Sequence, residues 1–212
     1  MEYNEYRGVR GLVYSVVEKD DTTGYTASKW KRFSGVQAVT TTKNESSESK
    51  FYDNAARIVI DAEGADEIGM TVSALANKTR AVIEGVEYHE ATDMIVDTPK
   101  KKKYLAIGYI GEKTDGTEEI VISYKGKFTG GSITRNTKND GTESTNVEYT
   151  YTGIHTTAQI NTNADGVKET AKSATFPIKG AITEAAIFGE FTDDESTLAP
   201  LTPDEIKALA SA

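Results

Sequence analysis

Apolar and polar residues alternate along most of this chain, and the alternation predicts strands. Gly11-Leu12-Val13-Tyr14-Ser15-Val16-Val17 reads as a strand running into the turn Asp20-Asp21-Thr22-Thr23-Gly24. Val36 to Thr42 sets Val36, Ala38 and Thr40 against Gln37, Val39 and Thr41. Polar Lys43 to Lys50 follows, and then Arg57 to Asp61. The simplest pairing makes 36–42 and 57–61 a hairpin with a long solvated tip. Asp66 to Leu75 alternates again through Ile68, Met70 and Val72. At Ala76 the period changes: Leu75, Thr79, Val82 and Ile83 share one helical face, and Gly85 stands where a C-terminal cap belongs. This is the one helix expected in the body of the chain.

The second half is punctuated by Asp115-Gly116, Asp140-Gly141 and Asp165-Gly166, a dipeptide that favours hairpin turns. Tyr104–Ile110 should pair with Glu118–Phe128. A weaker strand near Ile133 should precede a long strand from Asn146 to Ile160, pairing with Val167–Phe176. Within that long strand the apolar face switches from Val147, Tyr149 and Tyr151 to Ile154, Ala158 and Ile160. Gly153 marks the switch, where a bend would let the strand leave one sheet for another. Near the C-terminus, Thr202-Pro203-Asp204-Glu205 is a capping box with proline in the first turn. The expected organisation is a β domain over 1–191, then a linker and a short appended helix over 192–212, free or docked on a neighbour. The fold class is mainly β: a β-sandwich or partly closed barrel of antiparallel strands, with one short flanking helix and a short C-terminal helix.

The 212 residues include no cysteine, which excludes disulfides, thiolate metal sites and a cysteine nucleophile. No stretch reads as a signal peptide or a membrane-spanning segment. The net charge of −9 has the wrong sign for gripping DNA. His89 and His155 lack partners at metal-binding spacing and read as ordinary strand or surface residues. The carboxylate runs Asp20-Asp21, Glu118-Glu119 and Asp193-Asp194-Glu195 fall at turns, strand starts or linkers, so they read as solvated. Thr129-Gly130-Gly131-Ser132 lacks the lysine and helix of a phosphate loop. Trp30, flanked by Lys29, Lys31 and Arg32, reads as a packed aromatic among snorkelling cations. No cofactor or metal and no enzymatic activity are expected. Lys100, Lys101, Lys102 and Lys103 form the one concentrated basic feature. They serve either as gatekeepers beside an apolar strand or as a contact for an acidic neighbour.

The order of elements resembles the major tail proteins that build the tail tube of long-tailed, non-contractile phages. The matching features are the strand Gly11–Val17 and a long hairpin ending in Phe51-Tyr52-Asp53-Asn54. The strand Ile68–Leu75, a helix closing at Gly85-Val86, the pair Tyr104–Tyr109 with Glu119-Ile120, and Ser132-Ile133-Thr134 before the Glu148 strand complete the match. The resemblance spans roughly residues 7 to 190, and the capped C-terminal helix departs from it. It implies a structural virion protein, six copies to a ring. The rings stack into a tube that conducts double-stranded DNA, assembled in the host cytoplasm with tape-measure, tail-tip and terminator proteins as partners and no membrane. On that reading Glu45, Glu48 and Asp53 face the lumen or reach a neighbouring ring, and acidic lumen walls let DNA slide. The rival readings are a β-sandwich adhesion module of a bacterial surface protein, an inner-tube protein of a contractile system, and an all-β hydrolase or lyase.

Overall fold

A computed structural model describes residues 4–135, 137 and 145–211. The Asp140-Gly141 turn lies outside them. In chain order the strands are β1 (Tyr6–Asp21), β2 (Gly24–Ala27), β3 (Lys31–Arg32), β4 (Val36–Thr42), β5 (Glu45–Tyr52), β6 (Ala55–Glu63) and β7 (Asp66–Val72). The helix α1 (Asn77–Glu84) follows, then β8 (Glu87–His89), β9 (Met94–Val96), β10 (Leu105–Lys113), β11 (Glu118–Ser132) and β12 (Val147–Gly153). Last come β13 (Gln159–Thr162), β14 (Lys168–Thr170), β15 (Ser173–Pro177), α2 (Glu184–Phe188), β16 (Phe191–Thr192), β17 (Glu195–Ser196) and α3 (Pro203–Ala210).

The chain is mainly β. One antiparallel sheet runs β16-β17-β3-β1-β10-β11-β12-β7-β4, with β2 on β1 and β15 on β11. It curls into a half-barrel, the partly closed form expected. The free edge strand β4 comes back alongside β1. Thr41 Oγ1 lies 3.3 Å from the Tyr109 hydroxyl of β10 across the mouth.

Both faces of the sheet are apolar and covered. Leu12, Tyr14, Phe33, Ile68, Ile107 and Tyr151 belong to an inner cluster that takes in Ile83 of α1. Val13, Trp30, Ile110, Ile120, Phe188 and Ile206 belong to an outer one, formed with β13, α2 and α3. A strand can feed both clusters because neighbouring side chains point to opposite faces. β11 does more. Between the pairs Ile107↔Ser123 and Leu105↔Gly126 it carries one extra residue. That bulge reverses its phase, so Ile120, Ile122 and Tyr124 point outward while Phe128 joins the inner cluster. β12 shows the expected switch: Val147, Tyr149 and Tyr151 are inner, the strand stops at Gly153, and Ala158 and Ile160 pack in the outer cluster.

Several pairings differ from the expectation. β4 pairs with β7, not with the segment around Arg57. Ile133 follows directly on the end of β11 and belongs to no separate strand among the described residues. β12 lies between β11 and β7, while β14 pairs with β13 and β15 with β11. In Asp115-Gly116 and Asp165-Gly166 the glycine takes positive φ and the aspartate does not. Each glycine closes a tight turn through an N–H to the carbonyl three residues back.

The segment read as a linker is built into the body. The Ser196 N–H donates to Trp30 O, the Trp30 N–H donates to Leu198 O, and Tyr124 Oη donates to Leu201 O. α3 has its capping box, Thr202 with Glu205. It docks on its own chain through Ile206 and through Asp204, which accepts from the Thr162 N–H at 2.6 Å and from Lys168 at 2.9 Å. The Lys168 ammonium, with the Thr162 N–H, holds the Asp204 carboxyl down at about 2. An unfolded aspartate titrates near ~3.9, so this docking contribution is complete above about pH 4 and fades as pH falls through 2. We expect the α3 methyl and amide resonances of Ile206 and Leu209 to lose their docked shifts in that window. Asp204→Asn should remove the pH dependence, and an unchanged acid profile would refute the assignment.

Candidate assembly surface

β5 and β6 form a two-stranded ladder outside the main sheet. It continues the β4–β7 ladder through a joint at Asn44 and Gly64, where the Gly64 N–H donates to Asn44 O at 2.7 Å. The polar run Lys43–Lys50, read from sequence as a solvated tip, is therefore mostly strand. The tip is Asp53-Asn54 alone, with φ of 52° and 59° between the paired residues Tyr52 and Ala55. Positive φ at both central residues is the type I′ turn, whose twist suits a two-residue hairpin.

Every residue of the ladder is exposed except the half-buried Lys50 and Ala55. The exposed set includes Phe51 (69%), Val59 (59%), Ile60 (50%) and Ile58 (48%). A two-stranded ribbon in water is marginal without a third layer, and a row of exposed β-branched residues is a sticky surface.

Register fixes what each face carries. Glu48 opposes Ile60 and Lys50 opposes Ile58, while Glu45 opposes Glu63 and Ser49 opposes Val59. One face therefore presents Ile58 and Ile60 with Glu48. The other presents Glu45, Glu63 and Asp61 near the root, then Val59. Glu45 and Glu48, expected together as lumen-facing carboxylates, point to opposite sides of the ribbon. The reason is their odd spacing of three within a strand of period two. Glu48 pairs with Lys50 on its own face. Asp53 sits in the turn, 8 residues along the ladder from Glu45.

The root is fastened by a charge cluster that the sequence does not single out. Lys172, just before β15, is buried and donates to Gly64 O at 2.9 Å and to Asp66 Oδ1 at 3.0 Å, and it pairs with Glu63. Burial pulls Lys172 down, but Glu63 and Asp66 outweigh it and hold the ammonium above its usual range. Lys172 and then His155, 3.3 Å from Glu63 Oε2, hold the Glu63 carboxyl below its usual range. These groups line a cleft of about 460 Å³ that also includes Glu45 and Lys43.

Asp20 departs from the solvated-turn reading. Its carboxylate is buried against Lys125 and accepts from the Thr157 N–H at 2.8 Å and the Ala158 N–H at 2.9 Å. Burial pushes the Asp20 carboxyl up, and Lys125 with those two N–H groups more than offsets it, leaving it below the ordinary range. Both polar clusters tie loops to the sheet, and each charge in them has its partner.

The lysine run lies between β9 and β10. The Lys101 N–H donates to Gly85 O at 2.8 Å, and the left-handed cap Gly85 (φ 71°) lies so close to the Lys101–Lys102 backbone that no larger residue fits there. Lys102 is half-buried and its ammonium donates to Phe128 O at 2.7 Å. Burial, with Lys100 beside it, pulls Lys102 below the usual lysine range. Lys100, Lys101 and Lys103 are exposed and form no ion pair among the described residues. His89 pairs with Glu87 at the surface. Trp30 is fully buried, edge-on to Phe188 at 5.5 Å. Among the described residues no group of three or more His, Asp or Glu side chains is placed to hold a metal ion, and no helix is long and apolar enough to cross a membrane.

No protein-family model matches the chain, and no curated protein matches it.

Proposed function

We propose that this chain is a structural subunit that closes into rings and stacks into a tube, as the major tail proteins of long-tailed phages do. The observation that carries the reading is the β5–β6 hairpin: a ladder that leaves the body, exposes Phe51, Ile58, Val59 and Ile60, and has no third layer over them among the described residues. Burial of that surface by further copies of the chain contributes about 1 kcal/mol for each large side chain covered, since these residues are 48–69% exposed. The proposed partners are other copies of itself, with tape-measure, tail-tip and terminator proteins at the ends. The proposed location is the tail of a virion, assembled in host cytoplasm. DNA passes without sticking because the chain carries −9 and like charge repels the phosphate backbone. Of the candidate lumen carboxylates, Glu45 and Glu48 contribute to opposite sides of the hairpin, so at most one of them faces the lumen. Negative-stain microscopy of the concentrated protein tests the proposal. Rings or tubes of uniform width are expected, and a field of separate monomers at every concentration would overturn it.

A further inference from the structure

We infer that the apolar face of the hairpin seats in a lysine-rimmed groove beside α1 on the next copy of this chain, making a head-to-tail contact along the tube axis. The inference rests on the self-assembly proposed above and names the surface that receives the hairpin.

The groove, about 710 Å³, is lined by Val16, Val82, Tyr88 and Pro99 together with Lys101, Lys103 and one carboxylate, Glu87. Its shape is set by Gly85, which lets the lysine segment lie directly on the end of α1. The carbonyl end of a helix is also the end that favours cations.

The hairpin complements it in both respects. Tyr52, Ile58 and Ile60 supply apolar surface. The same face carries Glu48 beside Lys50, and Asp53 stands in the turn at the tip, while Glu45, Asp61 and Glu63 face the other side. Lys101 and Lys103, which form no ion pair among the described residues, are thus matched to the Asp53 end of the hairpin's apolar face.

The sheet separates the two within one molecule. β7 begins at Asp66, next to the hairpin root. Across the sheet the groove's Val16 is in register with Leu105, Gly126, Gly153 and then Asp66, so the groove lies level with the hairpin root, on the far side of the sheet from β7. The ribbon extends about 26 Å from that root, at ~3.3 Å per residue over its eight residues. A protrusion on one surface and a receptor on a different one make a heterologous contact, which propagates along a line and does not close as a two-fold dimer.

The chain has no cysteine, so paired thiols can be placed cleanly. Concentrated Asp53→Cys/Lys101→Cys protein treated with a short bismaleimide should give a ladder of covalent oligomers. Each single variant, and an Asp53→Cys/Lys179→Cys control, should give none. Lys101→Glu with Lys103→Glu should weaken self-association at least tenfold, and Asp53→Lys should restore part of the loss. If light scattering shows oligomers but the Asp53/Lys101 pair gives no ladder, the groove is overturned and self-assembly stands. If no oligomer forms at all, both fall.

Discussion

Replacing residues 46–62 with an Asn-Gly turn is expected to abolish self-association and leave the isolated chain folded. Glu45 and Glu63 are directly opposed in the ladder, so a two-residue type I′ turn can join them without disturbing the root. The root network survives the change, because Lys172 holds Asp66 and the Gly64 carbonyl, which lie outside the deletion, and Glu63 is retained. The deleted side chains are almost all exposed, and exposed substitutions away from special features cost at most about 0.5 kcal/mol. Thermal unfolding of the shortened chain should match that of the full chain, while sedimentation at high concentration should find monomers only. A large fall in melting temperature would make the hairpin part of the fold. Persistent oligomers would assign assembly to another surface.

Gly126→Ala should be among the most damaging single substitutions. Gly126 follows the β11 bulge, and a Cβ there would overlap the Tyr151 ring and the Thr152 carbonyl. Neither can yield. Tyr151 is fully buried, its hydroxyl donates to Leu105 O at 2.8 Å, and Phe128 packs 5.1 Å from its ring. The Thr152 carbonyl belongs to the ladder. Overpacking of a core costs about 1–3 kcal/mol and more where backbone must move, so a loss of roughly 3 kcal/mol or above is expected. For a chain of this size that lowers the melting temperature by about 6–12 °C. Gly69→Ala is the control: its nearest neighbour would be Thr40 O at 3.9 Å, an ordinary contact, and its melting temperature should move by less than about 2 °C. Equal behaviour of the two variants would contradict the packing described around the bulge.

Elements whose signal is local were legible in the sequence. α1 has its helical face and Gly85. α3 has a capping box. β12 has alternation that changes sides at Gly153. What escaped depends on partners distant in the chain. Glu45-Ser46-Ser47-Glu48-Ser49 has no apolar alternation. It becomes a strand because the β4–β7 ladder continues through Asn44 and Gly64 into it. The pairing of β4 with β7 is a long-range choice, made once β5 and β6 occupy the space between them in sequence. α2 is only five residues long and owes its place to Ile187 and Phe188 in the outer cluster. Asp20 stands in a run that spells a turn, and only Lys125, 105 residues away, makes it a buried anchor. The candidate site was half legible. The sequence marked the lysine run and the acidic hairpin residues, but the opposite facing of Glu45 and Glu48 needed the strand register. The apolar residues that matter most, Ile58 and Ile60, fall in the 57–61 strand expected to pair with 36–42, and their exposure follows from the pairing of β6 with β5 instead.

On the proposed function the hairpin is unsupported in the free chain and covered by neighbouring copies in the assembly. Amide hydrogen exchange across residues 45–63, measured on dilute and on concentrated protein, tests it most directly. Fast exchange is expected in the dilute chain and strong protection in the concentrated one, with the β10–β11 amides protected equally in both. Equal exchange of the hairpin amides at the two concentrations, in a sample that has assembled, would contradict it.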